Sequence, residues 1–346
     1  MHVESHESEQ DVLVDTLQRP LRDLRISLTD RCNFRCTYCM PKEIFGPNFE
    51  FLRPKVLLTD DEIVRITRIF AGLGVNKIRL TGGEPLLRPG LSGLIQRIST
   101  IDGVRDISLT TNGSLLTLEK ARDLKNAGLH RINVSLDALD DRSFMALNDV
   151  DFSVEKVLGA VEAADRAGLQ PIKINMVVIK GINDHSVVNM AEHFRGTGYI
   201  VRFIEYMDVG NSNGWRLDQV VPAREIIARI DQKWPLKPIM QNPVGEVARR
   251  YEYEDGQGEI GVIASVTQPF CLGCTRARLS AEGRLFLCLF GTTGYDLRTR
   301  LRSMDTDDNI ATYIRNIWSR RDDRYSELRS SQTDGIRKVE MSHIGG

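Results

Sequence analysis

All six cysteines of this sequence fall into two groups of three. Cys32, Cys36 and Cys39 read C-x3-C-x2-C, and Cys271, Cys274 and Cys288 read C-x2-C-x13-C. A structural zinc site or a closed iron–sulfur cluster normally takes four protein ligands. A cubane held by three thiolates keeps one iron open to a further ligand, so the two triplets predict two reactive [4Fe-4S] sites. A zinc clip remains the alternative, completed at the second triplet by a fourth ligand such as His185 or His193. Arg276 and Arg278 follow Cys274 closely and could grip an anion through charge-assisted forks.

These side chains need a scaffold. From about residue 22 to 207, strand-like segments (24–28, 76–81, 105–110, 131–136, 172–178 and 200–205) alternate with helix-like ones. One helix runs from Thr59 to Phe70, opened by a Thr59-x-x-Glu62 capping box and stopped near Gly72 and Gly74. Another runs from Val154 to Ala167, with Ser153 as cap and Gly168 as stop. Such alternation implies parallel strands joined by helical crossovers.

The strands share a parity. Arg25, Lys77, Arg79, Asp106, Thr110, Asn133, Ser135, Lys173 and Asn175 alternate with branched apolar residues, and Arg202 is a further candidate for the polar set. The apolar parity suits a helix layer, and the polar parity must face water or a ligand. An ordinary eight-stranded barrel fills its lumen with branched apolar side chains. Six strands with polar inner faces instead predict an α/β fold built as a partial, open (β/α)6 TIM-like barrel with a hydrated lumen. An open sheet with one wet face gives the same alternation. The segments Thr81-Gly-Gly-Glu84-Pro85, Thr110-Thr-Asn112-Gly113, Ser135-Leu-Asp137 and Met207-Asp208 fall at C-terminal strand ends, where active sites of parallel folds gather.

Arg25, Lys77, Arg79, Lys173, Arg202, Arg276 and Arg278 stand against Asp106 and Asp137 on this face. In a chain of formal net charge -1, that concentration predicts a highly charged anion such as a triphosphate. Each arginine alone is equally well explained by a salt bridge. No G-x-x-x-x-G-K-[ST] loop is present, which excludes P-loop nucleotide binding. The overall charge gives no drive toward nucleic acid or membrane, and no apolar run is long enough to span a bilayer.

Residues 1–15 hold Glu4, Glu7, Glu9, Asp11 and Asp15 and no Lys or Arg, the opposite of a transit peptide. The expectation is a cytoplasmic protein with reduced thiols. Residues 1–18 read as a mobile acidic arm, 19–207 as the barrel, and 208–346 as a smaller C-terminal cluster-binding region packed on it. That region is expected to hold a helix at 222–231, a β segment over 245–266 turning at Asp255-Gly256, a charged helix-rich stretch at 297–329, and a polar tail ending in Gly345-Gly346.

The segment Cys32-Asn-Phe-Arg-Cys36-Thr-Tyr38-Cys39, followed after the next strand by Gly82-Gly83-Glu84-Pro85, closely resembles the radical S-adenosylmethionine superfamily. Over about 19–346 the chain resembles its GTP 3′,8-cyclase family. The added support is Asp23-Leu-Arg25-Ile-Ser-Leu-Thr-Asp30-Arg-Cys32, Arg202-Phe-Ile-Glu-Tyr-Met207-Asp-Val-Gly210, the second triplet with Arg276 and Arg278, and the terminal Gly-Gly.

The resemblance implies two [4Fe-4S] clusters and S-adenosylmethionine as cofactors, with GTP as substrate. In that family a 5′-deoxyadenosyl radical takes hydrogen from C3′ of GTP, the ribose attacks C8, and the second cluster holds the guanine. Carried over by position, Tyr38, Gly83, Ser135 and Met207 line the S-adenosylmethionine site. Arg25, Arg79, Thr110, Lys173, Arg276 and Arg278 line the GTP site, to which the polar face adds Lys77 and Arg202. Gly345 and Gly346 reach into the active site.

The implied partners are an electron donor of flavodoxin or ferredoxin type and a downstream cyclic pyranopterin monophosphate synthase. A homodimer is compatible with the family. A peptide-modifying radical enzyme with an auxiliary cluster and a non-catalytic zinc or iron–sulfur interaction module remain as alternatives.

Overall fold

Apolar and polar side chains separate onto the two faces of a single sheet. The computed structural model describes residues 12–240, 245–329 and 338–345. Six strands come first: β1 (Asp23–Ser27), β2 (Lys77–Thr81), β3 (Asp106–Thr111), β4 (Arg131–Ser135), β5 (Ile172–Val178) and β6 (Ile200–Glu205). Crossovers carry α1 (Asp60–Gly72), α2 (Leu91–Ser99), α3 (Leu118–Asn126), α4 (Asp141–Asn148), α5 (Val154–Arg166) and α6 (Val187–Phe194), and every neighbouring pair is parallel. This is the predicted α/β partial barrel.

The apolar parity meets the helices. Leu24, Ile26, Ile78, Leu80, Ile107, Leu109, Ile132, Val134, Ile172 and Ile174 are fully buried against helix residues such as Ile66, Phe70, Leu94, Ile98 and Val157. The capping box on α1 forms as expected: the Thr59 hydroxyl accepts from the Glu62 amide, and the Glu62 carboxylate accepts from the Thr59 amide. Ser153 makes no capping bond. The Asp141 carboxylate takes over, accepting from the Val154 amide at 2.7 Å.

After α7 (Ala223–Asp231) the C-terminal segment contributes β7 (Leu236–Pro238), β8 (Arg249–Tyr253), β9 (Glu259–Ile263), β10 (Arg276–Leu279), β11 (Arg284–Phe286) and β12 (Tyr295–Asp296). These strands extend the same sheet at both ends, in the order β12-β11-β10-β1-β2-β3-β4-β5-β6-β9-β8-β7. β10 runs parallel to β1 and β9 parallel to β6, so the parallel array is wider than the six strands expected. The expected β segment at 245–266 is the β8–β9 hairpin. Helices α8 (Arg298–Arg302), α9 (Asp307–Trp318), α10 (Tyr325–Leu328) and α11 (Met341–Ile344) follow.

The mobile arm expected over 1–18 is corrected where the structure describes it. Leu13 and Asp15 are buried, Val14 bridges Pro20, and the Asp15 carboxylate pairs with Arg19 at 2.6 Å. A buried carboxylate with two arginine partners fixes this segment, and local acidity gave no sign of it. Residues 1–11 lie outside the described residues.

Candidate active site

Strand register sets the site. Arg278, Arg25 and Arg79 stand side by side on β10, β1 and β2, with Ser108 and Arg131 continuing the row on β3 and β4. One step down lies a row of alternating sign: Arg276, Asp23, Lys77 and Asp106. The polar parity lines a cavity of about 590 Å³. Its wall includes all six cysteines together with Tyr38, Gly83, Ser135, Met207, Arg25, Lys77, Arg79, Thr110, Lys173, Arg202, Arg276 and Arg278. The lumen is thus a ligand-sized cavity within the usual range, not one solvated face.

The loop after β1 carries the first triplet. Cys32 Sγ accepts from the Phe34 amide at 3.4 Å, and Arg35 pins the loop by donating to the Cys32 and Phe45 carbonyls. Gly82 and Gly83 lie against this loop. The Gly83 amide donates to the Thr29 carbonyl at 2.7 Å. A Cβ on Gly83 would fall 2.2 Å from the Arg31 carbonyl oxygen, so only glycine permits this approach. Behind it the buried Glu84 carboxylate accepts from Thr111 Oγ1 at 2.7 Å and the Asn112 amide at 2.8 Å, and burial pushes its pKa up to about 7. Tyr38 donates to Asp137 at 2.8 Å, and the other Asp137 oxygen accepts from the Val177 amide. Burial raises Asp137 to about 6.

Burial raises Cys32 to about 11, reinforced by Glu84, and it raises Cys36 and Cys39 with mutual repulsion among the three thiols. Thiols so placed resist ionising alone and favour a cationic partner that binds thiolate. In the second triplet burial, then Asp323, lifts Cys288 to about 12. Burial acts the same way on Cys274, but Arg276 and Arg321 outweigh it and hold that thiol at about 6.

All six cysteines are free of disulfides. Among the described residues no three His, Cys, Asp or Glu side chains converge on a single metal ion. A cube held at its corners needs more widely spread ligands than one ion does. His185 and His193 are not on the cavity wall.

The cationic wall is short of partners. The buried Nε atoms of Arg25 and Arg79 and the Nη2 of Arg276 have no hydrogen-bond partner among the described residues. Buried donors left this way call for an anionic ligand. Burial lowers Arg25, helped by Arg278 and Arg79, and it lowers Lys173 to about 7 and Arg202 to about 9. Glu246 answers part of the charge, 3.1 Å from Arg202 and 3.5 Å from Lys173.

The tail reaches the same wall. The Arg278 guanidinium donates to the Gly345 carbonyl, His343 pairs with Glu282 at 2.8 Å, and Lys338 pairs with Asp208 at 2.7 Å. Gly346 lies outside the described residues.

Sequence reasoning missed Arg131, Asp23, Glu246, Arg19 and Arg321, all on the cavity wall. Arg131 shares the parity of Asn133 and Asp23 that of Arg25, so the period-2 pattern carried forward would have found both. No local signal marks the other three.

Comparison with known proteins agrees with this geometry. Residues 26–194 match the Radical SAM superfamily, and residues 199–327 match Molybdenum Cofactor Synthesis C. The chain is 54% identical to a GTP 3′,8-cyclase of Acidothermus cellulolyticus, covering 96% of this chain and 98% of that one. It is 45% identical to a GTP 3′,8-cyclase of Staphylococcus epidermidis, covering 97% and 100%. Among solved structures it is similar to Streptococcus suis SuiB bound to S-adenosylmethionine, with a TM-score of 0.63 and 15% identity, covering 91% of this chain and 69% of that one. At that identity the likeness concerns the fold alone.

Proposed function

The chain belongs to the GTP 3′,8-cyclase family of radical S-adenosylmethionine enzymes, and from that premise we propose that it converts GTP to (8S)-3′,8-cyclo-7,8-dihydroguanosine 5′-triphosphate in molybdenum cofactor biosynthesis. The observation that carries the reading is one cavity walled by two three-cysteine sets and a run of buried arginines in register.

Cys32, Cys36 and Cys39 would hold one [4Fe-4S] cluster and Cys271, Cys274 and Cys288 a second, with Tyr38, Gly83, Ser135 and Met207 lining the S-adenosylmethionine site. Bound there, the first cluster and S-adenosylmethionine supply a carbon radical able to take hydrogen from an unactivated C–H bond.

The chain's own residues supply aim. A primary carbon radical reacts with almost any C–H bond it touches, so selectivity depends on placing C3′ and excluding other donors. Arg25, Lys77, Arg79, Lys173, Arg202, Arg276 and Arg278 fix the triphosphate through charge-assisted bonds. Thr110 adds a hydroxyl on the same wall, and the tail closes against Arg278 through the Gly345 carbonyl. The unpartnered guanidinium nitrogens support this role. Near-complete coverage by cyclases outweighs the peptide-modifying alternative.

The test is anaerobic incubation with GTP, S-adenosylmethionine and a chemical reductant. Mass spectrometry then looks for 5′-deoxyadenosine and an isomer of GTP. Absence of both, with both clusters intact, overturns the reading.

No helix among the described residues is long and apolar enough to cross a membrane. We place the enzyme in the cytoplasm, reduced by a flavodoxin- or ferredoxin-type donor and feeding a cyclic pyranopterin monophosphate synthase, with a homodimer compatible. Replacing the chemical reductant by each donor protein checks the electron source, and light scattering checks the dimer.

A further inference from the structure

The segment expected to be a mobile arm leads instead to the second cysteine triplet. Asp15 and Arg321 are among the most buried charged side chains, 0% and 1% exposed, and lie 3.2 Å apart. The same Asp15 oxygen accepts from Arg19 Nε at 2.6 Å. Each arginine then reaches a different cysteine of the triplet. Arg19 Nη1 donates to the Cys271 carbonyl at 2.9 Å. Arg321 Nη1 donates to the Cys274 carbonyl at 2.9 Å, and its Nη2 lies 3.2 Å from Cys274 Sγ. The indole of Trp318 lies 4.6 Å below the Arg321 guanidinium, and its N–H is tied to the Arg19 carbonyl. One carboxylate therefore sets two guanidinium groups, and one of these grips both the backbone and the sulfur of a single cysteine.

We propose that Arg321, held in place by Asp15, is a positioning residue for the C-terminal cluster that donates an N–H···S bond to the ligand Cys274 and so sets that cluster's reduction potential. The inference rests on the reading that Cys271, Cys274 and Cys288 hold an iron–sulfur cluster. A hydrogen bond to a ligating sulfur draws electron density from the cluster and favours its reduced state, so it raises the potential. The burial of Arg321, 1% exposed, strengthens the bond, because water hardly competes for its guanidinium. Among the described residues the first triplet has no equivalent: Cys32 Sγ accepts there only from the neutral Phe34 amide and, at 3.7 Å, from the Asn112 amide group. The two clusters are therefore tuned by different means, and Arg321 acts on one of them.

The experiment is an EPR-monitored redox titration of the reconstituted full chain as wild type, R321M, R321K and D15N, with iron counted in each sample. The expected result for R321M is full iron content and a roughly tenfold lower reduced-to-oxidised ratio of the C-terminal cluster at fixed potential, a downward shift of about 59 mV for one electron. The N-terminal cluster should not move. R321K, with a cation but a single donor group, should fall between, as should D15N, which keeps Arg321 and loses its anchor. An unchanged potential in R321M with both clusters present overturns the proposal. If R321M and R321K cannot hold the C-terminal cluster while D15N holds it at wild-type potential, Arg321 is a structural clamp and the tuning role fails. Wild-type protein that binds only one cluster defeats the reading of the second triplet itself, a failure the iron count shows before any potential is measured.

Discussion

Glu246 is the only carboxylate paired with Lys173 and Arg202 among the described residues, so on the proposed function it competes with a phosphate for both cations. Its Oε1 lies 3.1 Å from Arg202 and 3.5 Å from Lys173, with all three side chains no more than 17% exposed. If these cations hold the triphosphate as proposed, GTP must displace it. A hydrogen bond to a charged group at such a site contributes about 1.5–3 kcal/mol. The Gln amide in E246Q keeps an acceptor for Arg202, so the lower end applies. The expected gain is roughly tenfold in GTP affinity.

The free protein should respond in the opposite sense. Leaving two buried cations without a carboxylate destabilises it by roughly 3 kcal/mol. Protonation must be controlled in the assay. Burial, then Arg202, brings Lys173 to about 7, with Glu246 holding it up. E246Q therefore lowers Lys173 further, and above that pKa the lysine is neutral in the free protein. Binding should be measured by anaerobic calorimetry at about pH 6 and again at about pH 8, on either side of this lysine. Tighter binding at the lower pH, a smaller gain at the higher one and a lower melting temperature are expected together. Equal or weaker GTP affinity at the lower pH refutes the competition argument.

Three further outcomes follow from the same geometry. Arg276→Ala or Arg278→Ala should leave iron content unchanged and lower kcat/KM for GTP by roughly ten- to a hundredfold, from loss of a charge-assisted contact of about 1.5–3 kcal/mol; unchanged product formation would sink the assigned role. Gly83→Ala should strain the loop by about 1–3 kcal/mol and weaken S-adenosylmethionine binding, since its Cβ meets the Arg31 carbonyl; a wild-type dissociation constant would show the close approach to be dispensable. Burial works against a charged His343, but Glu282, with Asp30, wins over Arg284 and raises its pKa above the usual 6.5. The contribution of this pair is therefore complete below about 6.5 and lost as pH rises through the folded value. Hydrogen exchange at residues 338–345 should quicken over that window in wild type and show no such step in H343Q.

Local rules carried much of the architecture into the sequence. Period-2 alternation placed the ends of β1 to β6 within a residue, because a one-residue slip would put Arg25 or Arg79 into the helix layer. The thiols were legible because six cysteines in two fixed spacings have few uses. Side chains that act across the chain were not. Asp15 meets Arg321 with |i−j|=306, and nothing near either residue in sequence announces the other. Glu246 follows a short stretch with no periodic pattern. The two edges of the sheet were equally hidden, since a strand sequence states its faces but not its neighbours.

The placement of β10 beside β1 and of β9 beside β6 has a consequence for biogenesis. Arg25 waits for Arg278, most of the chain away. Closing so long a loop is thermodynamically mild, about 0.6 kcal/mol for each doubling of length, but contacts of such separation form late. While residues 1–207 emerge from the ribosome, β1 and β6 are open sheet edges, able to pair with any passing strand. The loop bearing Cys32, Cys36 and Cys39 hangs from one of those edges. Its enclosing wall is finished only when residues 276–279 dock, so the chamber around the first triplet is closed late, by a strand from near the end of the chain.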